Sequence, residues 1–243
     1  MFDRSDRLTL YVNAFLALFG IIFALFSGFY LLGFIFTTCA LLLIYDLYRQ
    51  NKTEFTVTHL DKILTIKDSS GKKATETQKY TVTANKTGIP EFWFKNISSD
   101  GTINSFHING SSPAERKQDD GKTHVAMKFD APIKKGNTFD ATLTFDHQNA
   151  FTKTQDTLVH TIDHQTKLLR IIIELPRERP ATFASLIRRY KGEEKHFFSP
   201  IITEHGKIMA DIQNPPVGAE YRLHWEWPQS KIMDKIDDLI FQK

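Results

Sequence analysis

Hydrophobic and polar positions divide the chain into two regimes. From Leu8 to Tyr45 there is no charged residue, and Phe, Leu and Ile dominate with one weak interruption at Ser27-Gly28. From about Thr53 onward apolar positions instead alternate with polar ones between turn formers. A helix rises about 1.5 Å per residue, and a hydrocarbon core about 30 Å thick takes roughly 20 apolar residues. The first regime therefore predicts a transmembrane α-hairpin, Leu8 to Ser27 and Phe29 to Tyr48, within an N-terminal segment 1–50. A secretory signal peptide also follows basic residues such as Arg4 and Arg7. Its short apolar run ends at a small-residue cleavage site, however, whereas this one resumes through Leu41-Leu42-Leu43-Ile44. Arg4 and Arg7 precede the first span, Arg49 and Lys52 follow the second, and the turn carries no cation. The positive-inside bias then places both termini in the cytoplasm of a multi-pass inner-membrane protein. Four Asn-x-Ser/Thr sequons, at Asn51, Asn85, Asn96 and Asn109, favour the opposite side in a glycosylating host, but a chain rich in Asn, Ser and Thr produces sequons by chance.

The second regime, 51–243, predicts a cytosolic all-β barrel or sandwich with one or two short helices. Strand patterns appear at Phe55-Val57 and Ile63-Leu64-Ile66 around a turn at Asp61, at Tyr80-Val82-Ala84, at Phe92-Phe94 and from Ile103 to Ile108. The clearest alternation is Val125-Met127-Phe129 and Phe139-Ala141-Leu143-Phe145, joined through Ala131 to Gly136. Leu168 to Leu175 is apolar on nearly both faces, as in a central strand. After Pro180, Phe183, Leu186, Ile187 and Tyr190 recur at i, i+3, i+4 and i+7, which predicts an amphipathic helix stopped by Gly192. Tyr221-Leu223-Trp225-Trp227 predicts the last strand, and Ser230 caps a second amphipathic helix through Ile240.

Composition adds little. Net charge is +3, which implies no affinity for DNA or RNA polymers. The single cysteine, Cys39, lies in the predicted second span, which leaves no thiol chemistry or cysteine-based zinc site downstream. Nucleophile elbow, phosphate-binding Gly-rich loop, dinucleotide fingerprint and His-Glu-x-x-His are all absent. The chain thus reads as a non-enzyme without metal or cofactor. His160 and His164 share a spacing that two metal ligands can use, but a site needs three or four converging donors. Asp119-Asp120-Gly121 lacks the later ligands of a calcium loop and reads as a turn.

The candidate ligand-binding residues are basic and aromatic: Arg170, Arg177, Arg188, Arg189, Tyr190 and Arg222, with Arg179 and Phe183 nearby. Arg holds phosphate bidentately and aromatic rings stack on bases. Equally, Arg188, Arg189 and Lys191 suit a helix C-terminus or an anionic lipid surface. Arg222, His224 and Glu226 share one strand face, the lumen of a barrel or the wet side of a sandwich. In the first span, Gly20, Ala24 and Gly28 form a small-residue stripe suited to helix packing, within one hairpin or between hairpins, and Asn13 offers a hydrogen bond in the bilayer.

Two N-terminal membrane helices, a β-rich domain and a closing strand of the form Gly218-x-x-Tyr221-x-Leu223-x-Trp225 resemble the two-transmembrane β-rich effectors of bacterial antiphage systems of the CBASS-like and Panoptes-like kinds. The likeness covers the layout of the whole chain and is weak in motif. It implies a β domain that binds a cyclic di- or oligonucleotide made by a cognate nucleotidyl cyclase. It also implies homo-oligomeric hairpins that disrupt the lipid bilayer, with ligand switching the effector on or holding it off. No ligand residue of the family maps onto a numbered position here. The alternatives are a tethered scaffold that docks another protein without a nucleotide, and a membrane-tethered enzyme.

Overall fold

Strand pairing, rather than helix, organises this chain. The computed structural model describes residues 35–45, 53–198, 200–203 and 207–228, and the chain divides into the units Met1–Thr53 and Glu54–Lys243. Residues 35–45 are helical. At about 1.5 Å per residue such a segment is roughly half of a hydrocarbon core of about 30 Å. Among the described residues no helix is long and apolar enough to cross a membrane, which overturns both the expected transmembrane hairpin and the multi-pass inner-membrane location. The expected first span, with Asn13, Gly20, Ala24 and Gly28, lies outside the described residues, as does the helix expected after Ser230.

In the larger unit, β1 (Phe55–Ile66) pairs antiparallel with β2 (Lys73–Ala84), which pairs with β7 (Thr138–Gln148) and then β4 (Thr102–Ile108). On its other side β1 runs parallel to β10 (Leu168–Glu174), followed by β14 (Ile208–Gln213) and β13 (Ile201–Ile202), while the short β9 (Gln165–Thr166) also pairs with β1. A second sheet has the order β12 (Glu193–Phe198), β11 (Phe183–Tyr190), β15 (Glu220–Glu226) and β8 (Gln155–Thr161). A third comprises β3 (Ile89–Ile97), β6 (Lys122–Ile133) and β5 (Glu115–Asp119). The three open sheets share one apolar core. Rings of Phe55, Tyr80, Phe92 and Phe94 meet edge to face in it, with Phe92 and Phe94 centroids 5.1 Å apart, a geometry that adds specific attraction to burial.

Three sequence expectations change. The predicted turn at Asp61 is absent because β1 is continuous, with a bulge between Val57 and His59; Asp61 faces outward, 2.7 Å from His59 Nε2. The predicted helix from Phe183 to Tyr190 is instead β11, paired on both sides. Eight residues nucleate an isolated helix poorly, while β15 pairs along Phe183 to Arg189 and β12 along Leu186 to Tyr190, giving the segment backbone partners from distant strands. Gly192 does not cap a helix. Lys191 (φ 52°) and Gly192 (φ 82°) form a two-residue hairpin turn, the primed geometry in which both positions are left-handed. Asp120 and Gly121 make the same kind of turn between β5 and β6. Elsewhere the central strand expected over Leu168 to Leu175 is β10, ending at Glu174, and the last strand expected over Tyr221 to Trp227 is β15, ending at Glu226, with Tyr221, Leu223 and Trp225 buried.

Candidate functional site

On the core-facing side of the second sheet, cross-strand register aligns four polar residues in one row. Lys195 of β12 lies opposite Arg188 of β11, Arg188 opposite Tyr221 of β15, and Tyr221 opposite His160 of β8. The row passes from exposed Lys195 and half-buried Arg188 to buried Tyr221 and His160. A bulge between Leu186 and Ile187 gives β12 an extra residue, Phe197. Its ring stands 5.8 Å from Tyr221 and 5.5 Å from the Arg188 guanidinium, with 37 % of its surface exposed. Tyr190 shares this face, and Lys191 Nζ lies 5.4 Å from its ring. Lys195, Arg188, Phe197 and Tyr190 thus form a basic, aromatic ledge at the open end of the sheet.

Beyond His160 the polar groups continue into the layer between sheets. Lys62 of β1 donates from Nζ to the Val159 carbonyl at 2.9 Å and pairs with Glu76 of β2 at 2.9 Å, with both side chains buried. Gln78 donates to Glu76 at 2.6 Å and accepts from Tyr80 Oη at 2.8 Å. Burial alone raises the Glu76 carboxyl, but the Lys62 ammonium, His147 and Gln78 outweigh it and hold the pKa at about 2. Burial drives His160 down to about 3, with Lys62 adding to the effect, so the imidazole is neutral near pH 7. Its β8 neighbourhood borders a cavity of only about 10 Å³, lined by Tyr80, Trp93, Lys95, Asp163 and His164, which admits no more than one water.

His147 Nδ1 lies 2.8 Å from Ser99 Oγ, and its Nε2 is 3.4 Å from Glu76 Oε2. This is the order of a nucleophile, base and carboxylate. The Nε2 contact, however, is too poorly aligned for a hydrogen bond, and Glu76 is already neutralised by Lys62. Glu76 is thus engaged by Lys62 and Gln78, and the buried His147 Nε2 has no hydrogen-bond partner. Among the described residues no group of three or more His, Cys, Asp or Glu is placed to hold a metal ion, and His164 packs its ring against Phe92 at 5.1 Å instead.

The sequence candidates separate. Arg188 and Tyr190 lie on the ledge. Arg189 and Arg222 lie on the opposite, outer face, where Arg222 meets Glu220 at 2.7 Å and Arg189 is opposite both Glu220 and Glu194. Arg170, on β10 of the largest sheet, holds Asp211 through two bonds of 2.8 and 3.1 Å. Arg177 is exposed in the connection after β10. Arg179 is buried: it donates to the Pro228, Ser69 and Lys153 carbonyls and stacks 3.6 Å from the Trp227 ring centroid, so it clamps three chain segments together. Sequence reasoning missed Lys195, Phe197, Lys62 and Glu76. The Lys191-Gly192 turn was the available signal for the first two, because it pairs Arg188 with Lys195.

No protein-family model matches the chain, and no curated protein matches it. Its fold is similar in part to solved structures. An M1 zinc metallopeptidase from Deinococcus radiodurans aligns at 11 % identity and TM-score 0.38, over 70 % of this chain and 42 % of that one. Yeast LTA4 hydrolase aligns at 13 % identity and TM-score 0.40, over 70 % and 29 %. A proposed nutrient-binding protein from Legionella pneumophila aligns at 9 % identity and TM-score 0.45, over 71 % and 67 %. The chain spans less than half the length of the metallopeptidase and of the LTA4 hydrolase, and at these scores the likeness carries no inference about activity.

Proposed function

We propose that this β domain is a non-catalytic sensor for a cyclic di- or oligonucleotide, the ligand class that the resemblance to CBASS-like and Panoptes-like effectors implies. The observation that supports it is the gathering of Arg188 and Tyr190 with Lys195 and Phe197 on one face of the four-stranded sheet, with Arg189 and Arg222 on its other face. A nucleotide presents phosphates for Arg and Lys and bases for rings, so this sheet offers both kinds of contact. Ligand changes the state of such a protein only by favouring one association state over another. The test is calorimetric titration of the full chain with cyclic di-AMP, cyclic di-GMP and cyclic tri- and tetranucleotides. Binding with Kd at or below about 50 μM is expected. No heat and no shift in melting temperature with any member overturns the reading.

A second reading, a protein-docking scaffold, draws on different residues. Among the described residues β12 and β13 each pair on one side only, and Phe197, Ile201 and Ile202 are exposed beside those edges. An open edge accepts a further extended strand. If docking is the function, Ile201→Lys removes partner binding and leaves the nucleotide titration unchanged.

A further inference from the structure

The sensor reading leaves two faces of the second sheet as candidate ligand surfaces, and their charge arrangements differ in kind. On the outer face carboxylates stand among the cations: Arg222 meets Glu220 at 2.7 Å, and Arg189 lies in register opposite Glu220 and Glu194. An anion arriving there has to displace carboxylates. On the ledge, Arg188 is directly opposite Lys195, and among the described residues neither has a carboxylate within ion-pair distance. Like charges directly opposite on one sheet face destabilise the pairing, and an anion between them reverses the sign of that interaction. Glu193, opposite Tyr190, shares the ledge end of this face in register, and Asp156, opposite Trp225, lies buried toward its other end.

We infer that the ledge is the ligand site: a phosphate bridges Arg188 and Lys195 while a base stacks on Phe197. The inference rests on the sensor reading and adds the face and the contacts. Arg188 supplies a planar fork for two phosphate oxygens, and Lys195 a mobile point charge across the strand pair. Phe197, 37 % exposed, offers the ring surface for the base beside the Arg188 guanidinium, with the Tyr221 ring 5.8 Å away at an interplanar angle of 76°. Tyr190 flanks the phosphate on the turn side, suited to a second base. The ledge is open to solvent, so affinity depends strongly on ionic strength.

The experiment is titration of the full chain with the cyclic nucleotide panel, with inorganic phosphate as a base-free probe, at two salt concentrations. Arg188→Glu and Lys195→Glu each weaken nucleotide binding about 100-fold, whereas Arg189→Glu and Arg222→Glu change it by less than about threefold. Phe197→Ala weakens nucleotide binding about tenfold and leaves phosphate binding unchanged, which isolates the stacking contribution. Melting temperatures verify folding, and Arg188→Gln and Lys195→Gln replace any reversal variant that does not fold. Undiminished binding by the Arg188 and Lys195 variants, with loss in the Arg189 and Arg222 variants, overturns this placement and leaves the sensor reading standing. Absence of binding by every probe to the unaltered chain overturns both.

Discussion

The two ends of the polar row that crosses the second sheet follow opposite rules. At its buried end, His160, Lys62 and Glu76 lie in the dry layer between sheets, and each charge has an opposite charge or hydrogen-bond partner within reach. At its exposed end, Arg188 and Lys195 face each other as like charges. Desolvation accounts for the difference. An unpaired charge inside this layer costs several kcal/mol, so Lys62 and Glu76 pair and His160 stays neutral, whereas water screens a like pair at the rim to a small cost. A protein can therefore keep an unsatisfied charge arrangement only where solvent moderates it, which is also where a ligand can arrive.

The largest expected effect that tests this contrast comes from Glu76. Glu76→Ala leaves Lys62 buried without its counter-ion and lowers stability by about 3–5 kcal/mol in urea unfolding, while replacing both residues by Met costs less than the single change. Because the folded Glu76 carboxyl titrates near 2 rather than its ordinary 4.5, its contribution is present above about pH 4.5 and is lost as pH falls toward 2. Removing this buried pair's partner at no cost would break the comparison.

Arg179 gives a somewhat smaller effect. Arg179→Met removes the guanidinium donor from the Pro228, Ser69 and Lys153 carbonyls, the last of which keeps Trp227 Nε1, and lowers stability by about 2–3 kcal/mol, without altering nucleotide binding. Next is Asp156, whose carboxyl burial pushes up to about 6 and whose Oδ2 has no hydrogen-bond partner. A carboxyl raised in the fold penalises folding once it ionises, so stability contributed at low pH is lost as pH rises from about 4 through 6. Asp156→Asn removes that slope and stabilises the protein by about 1–2 kcal/mol at pH 7.5 but not at pH 4, measured by thermal unfolding across pH. The smallest effect belongs to the ledge. Lys195→Glu converts a like pair into an opposite pair and raises stability by about 0.2–1 kcal/mol, even as it removes the proposed phosphate contact. Stability falling instead would assign Lys195 a structural role.

Much of the β architecture was legible in the sequence because half-buried strands alternate with a period of two residues. Phe139 to Phe145 and Tyr221 to Trp227 carry that signal without interruption. It failed where inward positions are polar. Along β2, Glu76 and Gln78 occupy core-facing sites, so Lys73 to Lys79 shows no apolar alternation even though the strand continues. It failed in β11 because a short run with apolar residues at 183, 186, 187 and 190 fits a helical period equally well, and only the two pairing strands decide between them.

The candidate site divides in the same way. Sequence alone determined the residue types, Arg and aromatic rings gathered between positions 170 and 222, and the absence of the familiar catalytic motifs. Tertiary structure decided which of those residues share a face. In a strand, neighbours in sequence point to opposite sides, so Arg188 and Arg189 part company while Arg188 meets Lys195, seven positions away. It also decided that Arg170 and Arg222 are held by carboxylates and that Arg179 is a clamp. Charge and chemistry belong to the residue and are readable one position at a time. Proximity and burial belong to the pairing of distant strands, which no local pattern specifies.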